Sequence, residues 1–166
     1  MSLHFTRIVA TIALSMAAVD SPALARPLTQ ASAPAPNSGV VEVISRHDVD
    51  TTVALLKADI AKKGIRFFDA IDQSALAKSA DIALSRSVLL VFGNPPLGIQ
   101  FLTSTPYAGL DWPVRMLVFE GTDGKVHIAW TDFAYIGRRH AMTDRDAQLK
   151  MANEVAASIA SAATAQ

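Results

Sequence analysis

The residues of this chain best suited to chemistry lie in four short motifs, and the first follows an apolar run. Residues 92–98 are Phe-Gly-Asn-Pro-Pro-Leu-Gly. Free backbone amides at a helix N-terminus can hold an anion or a carboxylate. Asn94 could instead cap those amides itself, with Gly98 allowing close packing. The motif therefore predicts a helix that starts at Asn94, either as an anion site or as a simple cap.

The second motif places an acid four residues before an arginine. Residues 110–115 are Leu-Asp-Trp-Pro-Val-Arg. Asp111 could orient Arg115, and a fixed guanidinium is well suited to a carboxylate-bearing ligand. The alternative is a solvated ion pair at the entry to a strand.

The remaining motifs offer acids and bases at less favourable spacings. Asp69 and Asp72 are three residues apart in a predicted strand, so their side chains point to opposite faces and cannot form an acid–base couple unless the strand bends. Asp72 suits a turn instead. Arg138, Arg139 and His140 form a basic cluster that is too small for a nucleic-acid interface. A solvated loop, or a histidine packed against the sheet, is the simpler interpretation.

Signatures of common enzymes and cofactor-binding proteins are absent from the sequence. It contains no nucleophile-elbow motif and no glycine-rich phosphate loop. The histidines after the leader, His47, His127 and His140, form no closely spaced ligand pair, so we expect no metal. The lack of cysteine excludes disulfides and thiolate chemistry. We expect no cofactor and favour a protein that is not an enzyme.

The N-terminal segment has the layout of a secretory signal. Arg7 precedes an apolar run from Ile8 to Val19, and small residues end the segment at Ala25. The run of about twelve residues is shorter than the roughly 20 that span a bilayer. We expect residues 1–25 to be removed, leaving a periplasmic or secreted protein without a membrane anchor.

After the leader, the composition predicts a spacer and then one domain. Residues 26–39 are rich in Ala, Pro and Ser, which is typical of a linker. Residues 40–163 are enough for a single domain. The 166-residue chain has 15 basic and 15 acidic residues. This neutral balance argues against nucleic acid as a partner.

Strands and helices alternate along the predicted domain. Apolar patterns predict strands at 40–46, 65–72, 87–94, 113–120 and 125–132, and helices at 48–63, 74–80, 95–104 and 143–161. The order β-α-β-α-β-α-β-β-α predicts an α+β domain, with a mostly antiparallel sheet and helices on one face.

Finer expectations concern the last strand and the last helix. In the strand, His127 and Thr131 share a face that should be partly wet. Thr143–Asp146 resembles a capping box for the final helix. That helix should lie across the sheet, and the tail beyond Ser161 should fray.

Residues 40–160 resemble the bacterial family called domain of unknown function 302. The resemblance is carried by I-D-Q-S-A at 71–75, F-G-N-P-P-L-G at 92–98, G-L-D-W-P-V-R at 109–115 and R-H at 139–140. Gln73 stands where the family often has His, and an amide there can hydrogen bond but cannot titrate. Trp112 replaces the usual Leu.

The resemblance implies a fold and assembly, but no established activity. Similar domains wrap a sheet around a long helix, like the TATA-box-binding-protein (helix-grip-like) fold, often as homodimers. An apolar cavity between sheet and helix would make ligand binding a reasonable analogy.

Three functions are compatible with these observations. The first, which we favour, is an exported, non-catalytic module for a small apolar or carboxylate-bearing ligand. Its cavity would be lined by Phe92, Met116, Val118, Ile128, Trp130 and the last helix, and the candidate ligand-binding residues are Asp72, Asn94, Asp111, Arg115 and His140. The second is a protein-interaction or homodimerisation domain. The third is an enzyme of unrecognised type that uses His140 as a base with Asp72 or Asp111.

Overall fold

Five β-strands form one sheet in which every neighbouring pair is antiparallel, in the order β1-β5-β4-β3-β2. The computed structural model describes residues 34–164, so the predicted leader and most of the predicted linker lie outside the described residues. The strands are β1 (Val40–Ile44), β2 (Arg66–Asp72), β3 (Ser87–Gly93), β4 (Val114–Glu120) and β5 (Val126–Thr131).

Helices connect and cover these strands in the predicted order, which confirms the α+β class. They are α1 (Val49–Lys62), α2 (Gln73–Ser79), α3 (Pro95–Ser104), α4 (Phe133–Arg139) and α5 (Asp146–Ser161), with a 3₁₀ turn at Pro106–Leu110. Helix α4 and the 3₁₀ turn were not predicted. Within the described residues, no helix is both long enough and apolar enough to cross a membrane.

Local sequence accounts well for helix α1. Asp48 accepts a hydrogen bond from the Thr51 backbone N–H at 2.7 Å, so it caps the N-terminus. Thr52, Leu56 and Ile60 recur at helical spacing and are fully buried. Gly64 follows the helix with a φ of 66°, a conformation that favours glycine. Helix α1 therefore packs its apolar side on strands β2, β3 and β4.

The two faces of the sheet are buried to different degrees. On one face, the side chains from neighbouring strands pack beside each other, are at most 6% exposed and form the core with α1, α3 and α5. They include Val88, Leu90, Phe92, Met116, Val118, Ile128 and Trp130. Their neighbours along each strand point away from this core. We call the second surface the open face; it includes Leu89, Val91, Arg115, Leu117, Phe119, His127, Ala129 and Thr131.

Two expectations about the C-terminal region were wrong. The predicted capping box fails because α5 begins at Asp146, which puts Arg145 at the N-cap and leaves Thr143 two residues before it, and no side chain caps the helix. The tail does not fray at Ser161. Ala163 is fully buried, and its carbonyl accepts a hydrogen bond from the Arg46 backbone N–H at 3.2 Å. Residues 162–164 are thus held against the end of β1.

Two further differences concern the start of the domain and the open face. Residues 34–39 form a turn, and a Cβ at Gly39 would lie 2.5 Å from Tyr135 Cδ1, so this end of the predicted linker packs on the domain. His127 is 4% exposed, although its face was expected to be partly wet. Glu42, Asp123 and the ring of Phe119 surround it.

Candidate functional site

An apolar cleft lies where the C-terminal end of β3 and the start of β4 meet helices α3 and α5. We call it the Trp112 cleft; it is lined by Ile65, Phe92, Gly93, Asn94, Leu97, Gly98, Phe101, Trp112, Val114, Phe133, Ala152, Val155 and Ala156. Its volume is about 30 Å³, room for one water molecule. The space between the sheet and the last helix, where a ligand cavity was predicted, is therefore a narrow cleft. Its volume is well below the few hundred Å³ of a typical ligand site.

The predicted lining of this cavity was wrong in part. Of the predicted strand residues, Phe92 lines the cleft, whereas the other four are at most 6% exposed, pack within the core and do not line it: Met116, Val118, Ile128 and Trp130. Leu56 and Ile60 of α1 fill the same layer. The reason is that α1 covers the centre of the sheet, which leaves the cleft at one end.

The Trp112 indole rests on two glycines. A Cβ built on Gly98 would lie 2.5 Å from Trp112 Cδ1 and still closer to Nε1, and one on Gly93 would lie 3.1 Å from Nε1. Phe68 meets the same ring edge-on, with ring centroids 6.2 Å apart. The close-packing role expected for Gly98 is thus explained by a specific neighbour. The indole occupies the space that side chains at 93 and 98 would fill.

The start of α3 is neither an anion site nor capped by a side chain. Pro95 and Pro96 have no N–H to offer, and the N–H groups of Leu97 and Gly98 both bond the Asn94 carbonyl, at 3.1 and 2.8 Å. The Asn94 side chain makes no capping hydrogen bond. The anion-site interpretation and the side-chain cap were therefore wrong, whereas the predicted start of the helix at Asn94 and the close packing at Gly98 were right. The consequence is an exposed carboxamide at the edge of the Trp112 cleft.

Three of the candidate residues, Asp111, Arg115 and His140, lie in contact, and Arg139 joins them. The Asp111 side chain is only 4% exposed, and its Oδ2 is 2.7 Å from His140 Nε2. Its Oδ1 accepts hydrogen bonds from Arg115 at 3.1 Å and Arg139 at 3.3 Å. Arg115 also donates to the carbonyl of Leu110 at 3.0 Å. We call these four side chains the Asp111 cluster.

The Asp111 cluster does not stand at the mouth of the Trp112 cleft. Val114 and Phe133 line both the cleft and a smaller recess beside Asp111 and Arg115, so these two side chains form a wall between them. Arg115 alternates with Val114 along β4 and points to the open face. Of the anchors predicted for the cavity mouth, Asn94 alone lines the cleft.

Asp72 lies at the far end of the sheet from Asp111. It pairs with Val88 in β3, whereas Val114 at the start of β4 pairs with Phe92, and four residues of strand span about 13 Å. The pairing of His140 with Asp72 was therefore wrong. The expectation that Asp69 and Asp72 point to opposite faces agrees with the register.

Asp72 begins helix α2 and pairs with Arg86. Its carboxylate accepts hydrogen bonds from the Ser74 hydroxyl and the Ala75 N–H, which begin α2, and from Arg86 at 2.6 Å. These contacts, led by the Ser74 hydroxyl, lower the pKa of Asp72 to about 2. Gln73 beside it accepts a hydrogen bond from Ser87 at 2.8 Å.

A buried polar group on the open face was not predicted from the sequence. His127 Nδ1 lies 2.8 Å from Glu42 and Nε2 lies 3.0 Å from Asp123. Burial works against the charged imidazole, but the hydrogen bonds with Asp123 and Glu42 outweigh it, so the pKa of His127 is raised. The contact with Asp123 could have been predicted, because Asp123 lies in the β4–β5 turn only four residues before His127. The contact with Glu42, 85 residues away, could not, because only strand pairing brings it close.

Sequence relatives are longer proteins. A 106-residue stretch is 36% identical to "Fluoride-specific ion channel FluC 1" of Brucella suis biovar 1 (strain 1330), covering 64% of this chain and 42% of that protein. The same identity and share of this chain hold for "Fluoride-specific ion channel FluC 2" of Brucella melitensis biotype 1, of which 39% is covered. The chain thus spans about two fifths of the length of the curated relatives it matches.

A solved structure and a family model agree on the domain itself. The crystal structure of an uncharacterized conserved protein DUF302 from Bacillus stearothermophilus superposes with a TM-score of 0.70 at 12% identity, covering 76% of this chain and 98% of that one. That likeness shows the fold. The model of "Domain of unknown function DUF302" matches residues 41–165. The chain therefore belongs to the DUF302 family, as the motifs around Asn94, Asp111 and His140 predicted.

Proposed function

We propose that this domain is a non-catalytic module that binds a small, largely apolar ligand in the Trp112 cleft. Ligand sites in proteins are mostly apolar, with a few polar groups that fix orientation. The cleft combines Phe92, Leu97 and Val155 with the carboxamide of Asn94. The observation that carries the proposal is this carboxamide, which is exposed beside the cleft and has no capping role.

Binding in this cleft requires Trp112 to move. A volume of about 30 Å³ does not admit a ring-sized molecule. The indole lies partly exposed against Gly93 and Gly98, so it can leave that surface without displacing a core side chain, provided that the ligand replaces the contacts the indole gives up there. A planar ligand would take the place of the indole on that surface.

Nuclear magnetic resonance with phenol and benzene as probes tests this proposal. We expect saturable shifts of the Leu97 and Val155 methyl signals and of Trp112 Nε1–H, while the core methyl groups of Val118 stay unchanged. Val155→Phe fills the cleft and should abolish binding of both probes. Asn94→Ala should weaken phenol alone, because benzene offers no hydrogen-bonding group.

A matched control separates the cleft from general surface effects. Leu76→Phe alters α2 at a residue that is 59% exposed and should leave both probes bound as in the wild type. If the wild type shows no saturable shifts, or if Val155→Phe binds as well as the wild type, the ligand-binding proposal fails.

The second candidate function is homodimerisation through the open face. Leu89, Leu117 and Ala129 form its central row, and the β1 residues Val40 and Ile44 are 42% and 41% exposed. Five strands and three rows of side chains make a surface of roughly 400 Å². That is about half of what each partner contributes to a standard interface, so a second copy would bind weakly and reversibly.

Light scattering across a protein concentration series tests dimerisation. We expect a mass that rises with concentration, and a Leu117→Lys variant that stays monomeric. Leu76→Lys, at an exposed site on α2, should dimerise like the wild type. A monomer mass for the wild type at all concentrations, or dimers that persist in Leu117→Lys, would exclude this surface.

We also propose that the protein is exported, in keeping with Arg7, the apolar run to Val19 and the small residues ending at Ala25. Intact-mass measurement on protein from the periplasm or medium should give a chain that begins at Arg26. A cell-associated chain with the full 166-residue mass would overturn export. The similarity to about two fifths of longer proteins supports a module that also works beside other domains.

A further inference from the structure

We propose that Arg115 and Arg139 form a binding site for a small oxyanion, distinct from the Trp112 cleft and independent of the function proposed for it. The two guanidinium groups come from separate elements, β4 and the last residue of α4. Both donate to Asp111 Oδ1, at 3.1 and 3.3 Å, so they are neighbours. A pair of fixed guanidinium groups suits an anion with two or more oxygens.

The charges in the Asp111 cluster do not balance. Asp111 supplies one negative charge, while Arg115 and Arg139 supply two positive charges, and His140 adds none when neutral. Among the ion pairs of residues 34–164, Asp111 is the carboxylate partner of both arginines. One positive charge therefore remains for an external anion.

The exposure of the side chains shows where that anion would bind. Asp111 and His140 are 4% and 6% exposed and lie beneath the arginines. The Arg115 and Arg139 side chains are 50% and 49% exposed, so each guanidinium has a buried edge on Asp111 and an edge that faces water. Anion oxygens can reach the outer N–H groups without breaking the inner hydrogen bonds.

Contacts within the cluster hold the Arg115 guanidinium in place before an anion arrives, and Asp111 positions Arg139 beside it through one hydrogen bond at 3.3 Å. Arg115 is bonded to the Leu110 carbonyl as well as to Asp111, and Asp111 is fixed by His140 at 2.7 Å. Preorganised donors lose less conformational entropy on binding than free surface side chains. Asp111 and His140 are thus positioning residues, and the arginines would make the contacts.

Carboxylates and phosphates share the chemistry that this site recognises, and calorimetry distinguishes them. Sodium succinate and sodium phosphate are titrated separately into the full chain at constant ionic strength, because salt screens exposed charges. We expect saturable binding of at least one. Binding of succinate alone identifies an organic acid as the ligand, and binding of phosphate alone identifies a phosphate compound.

Variants test whether the two arginines act together. Arg115→Gln and Arg139→Gln should each weaken binding about tenfold or more, because each removes charged hydrogen bonds. Arg138→Gln is the matched control: Arg138 lies over the Tyr135 ring, 6.0 Å from its centroid, and its loss should change the affinity less than about twofold. Arg115→Lys keeps the charge and should still bind more weakly than the wild type.

The outcomes separate this proposal from the one for the cleft. Val155→Phe, which fills the Trp112 cleft, should bind the oxyanion as the wild type does. The proposal is overturned if neither anion binds saturably, or if Arg138→Gln weakens binding as much as Arg139→Gln. Thermal unfolding of each variant shows whether it is folded, and Arg115→Lys serves if Arg115→Gln is not.

Discussion

The contact between Gly98 and Trp112 leads to a prediction in which one substitution changes the sign of its effect. Replacing a glycine inside a helix by alanine stabilises the helix by about 1 kcal/mol. In this protein, a Cβ at Gly98 would overlap the Trp112 indole. Overpacking of that kind costs about 1–3 kcal/mol.

The magnitude follows from comparing the substitution in two backgrounds. In the wild type, Gly98→Ala should leave the free energy of unfolding unchanged or lower it by up to about 2 kcal/mol, because the clash offsets the helix gain. In Trp112→Ala the clash is absent, so the same change should raise it by about 1 kcal/mol. The difference between backgrounds, about 1–3 kcal/mol, is the coupling energy.

Urea unfolding followed by circular dichroism measures this double-mutant cycle. Gly109→Ala is the matched control, since the nearest atom to its Cβ would be Leu102 Cδ2 at 3.9 Å, an ordinary contact. It should not couple to Trp112→Ala. A coupling between Gly98 and Trp112 below about 0.5 kcal/mol would refute the reasoning, because it would mean that the indole does not rest on the glycine.

Three further predictions concern the core and two titrating groups. Leu56→Ala should lower the free energy of unfolding in urea by about 2–5 kcal/mol, because Leu56 is fully buried, whereas exposed Leu76→Ala should change it by less than about 0.5 kcal/mol. The pKa of Asp72 is lowered from 3.8 to about 2 in the folded protein, so the ionised carboxylate stabilises the fold fully above pH 3.8. Asp72→Asn should therefore have a lower free energy of unfolding in urea than the wild type, and this difference should shrink as pH falls from 4 towards 2. A difference that stays constant over that range would contradict the prediction. The pKa of His127 is raised above 6.5, so the charged imidazole stabilises the fold through its partner Glu42. The free energy of unfolding of the wild type should exceed that of Glu42→Gln by its full amount below pH 6.5, and the difference should fall as pH rises through the pKa of His127 in the folded protein. An imidazole proton resonance that titrates below pH 6.5 would exclude the pairing of His127 with Glu42.

Element types and boundaries followed from local patterns because their causes act within a few residues. Asp48 and Gly64 fix the ends of α1 through a cap and a left-handed residue, and the apolar run in β3 determines a buried strand. The same logic failed where a longer-range contact competed. Asp144, inside the predicted capping box, instead bonds Ser104 of α3, and α5 begins at Asp146; the Ala163 carbonyl accepts a hydrogen bond from Arg46 just after β1.

The candidate site was only partly accessible from the sequence. Asp111 and Arg115 are four residues apart, so their pairing could be predicted, but His140 lies 29 residues further along and joins them only through α4, an unpredicted helix. Pro95 and Pro96 were visible in the sequence, and their missing N–H groups alone argued against an anion site at α3.

What the sequence by itself determined was the family, the order of strands and helices, and the short-range pairs, because motifs, periodicity and caps are local. The tertiary structure alone decided how much space remains between sheet and helices. It set the width of the Trp112 cleft, the wall of Val114 and Phe133 that separates it from Asp111, and the approach of Arg139 to Arg115. Volumes and distances between distant residues depend on how all side chains pack together, and no local pattern encodes them.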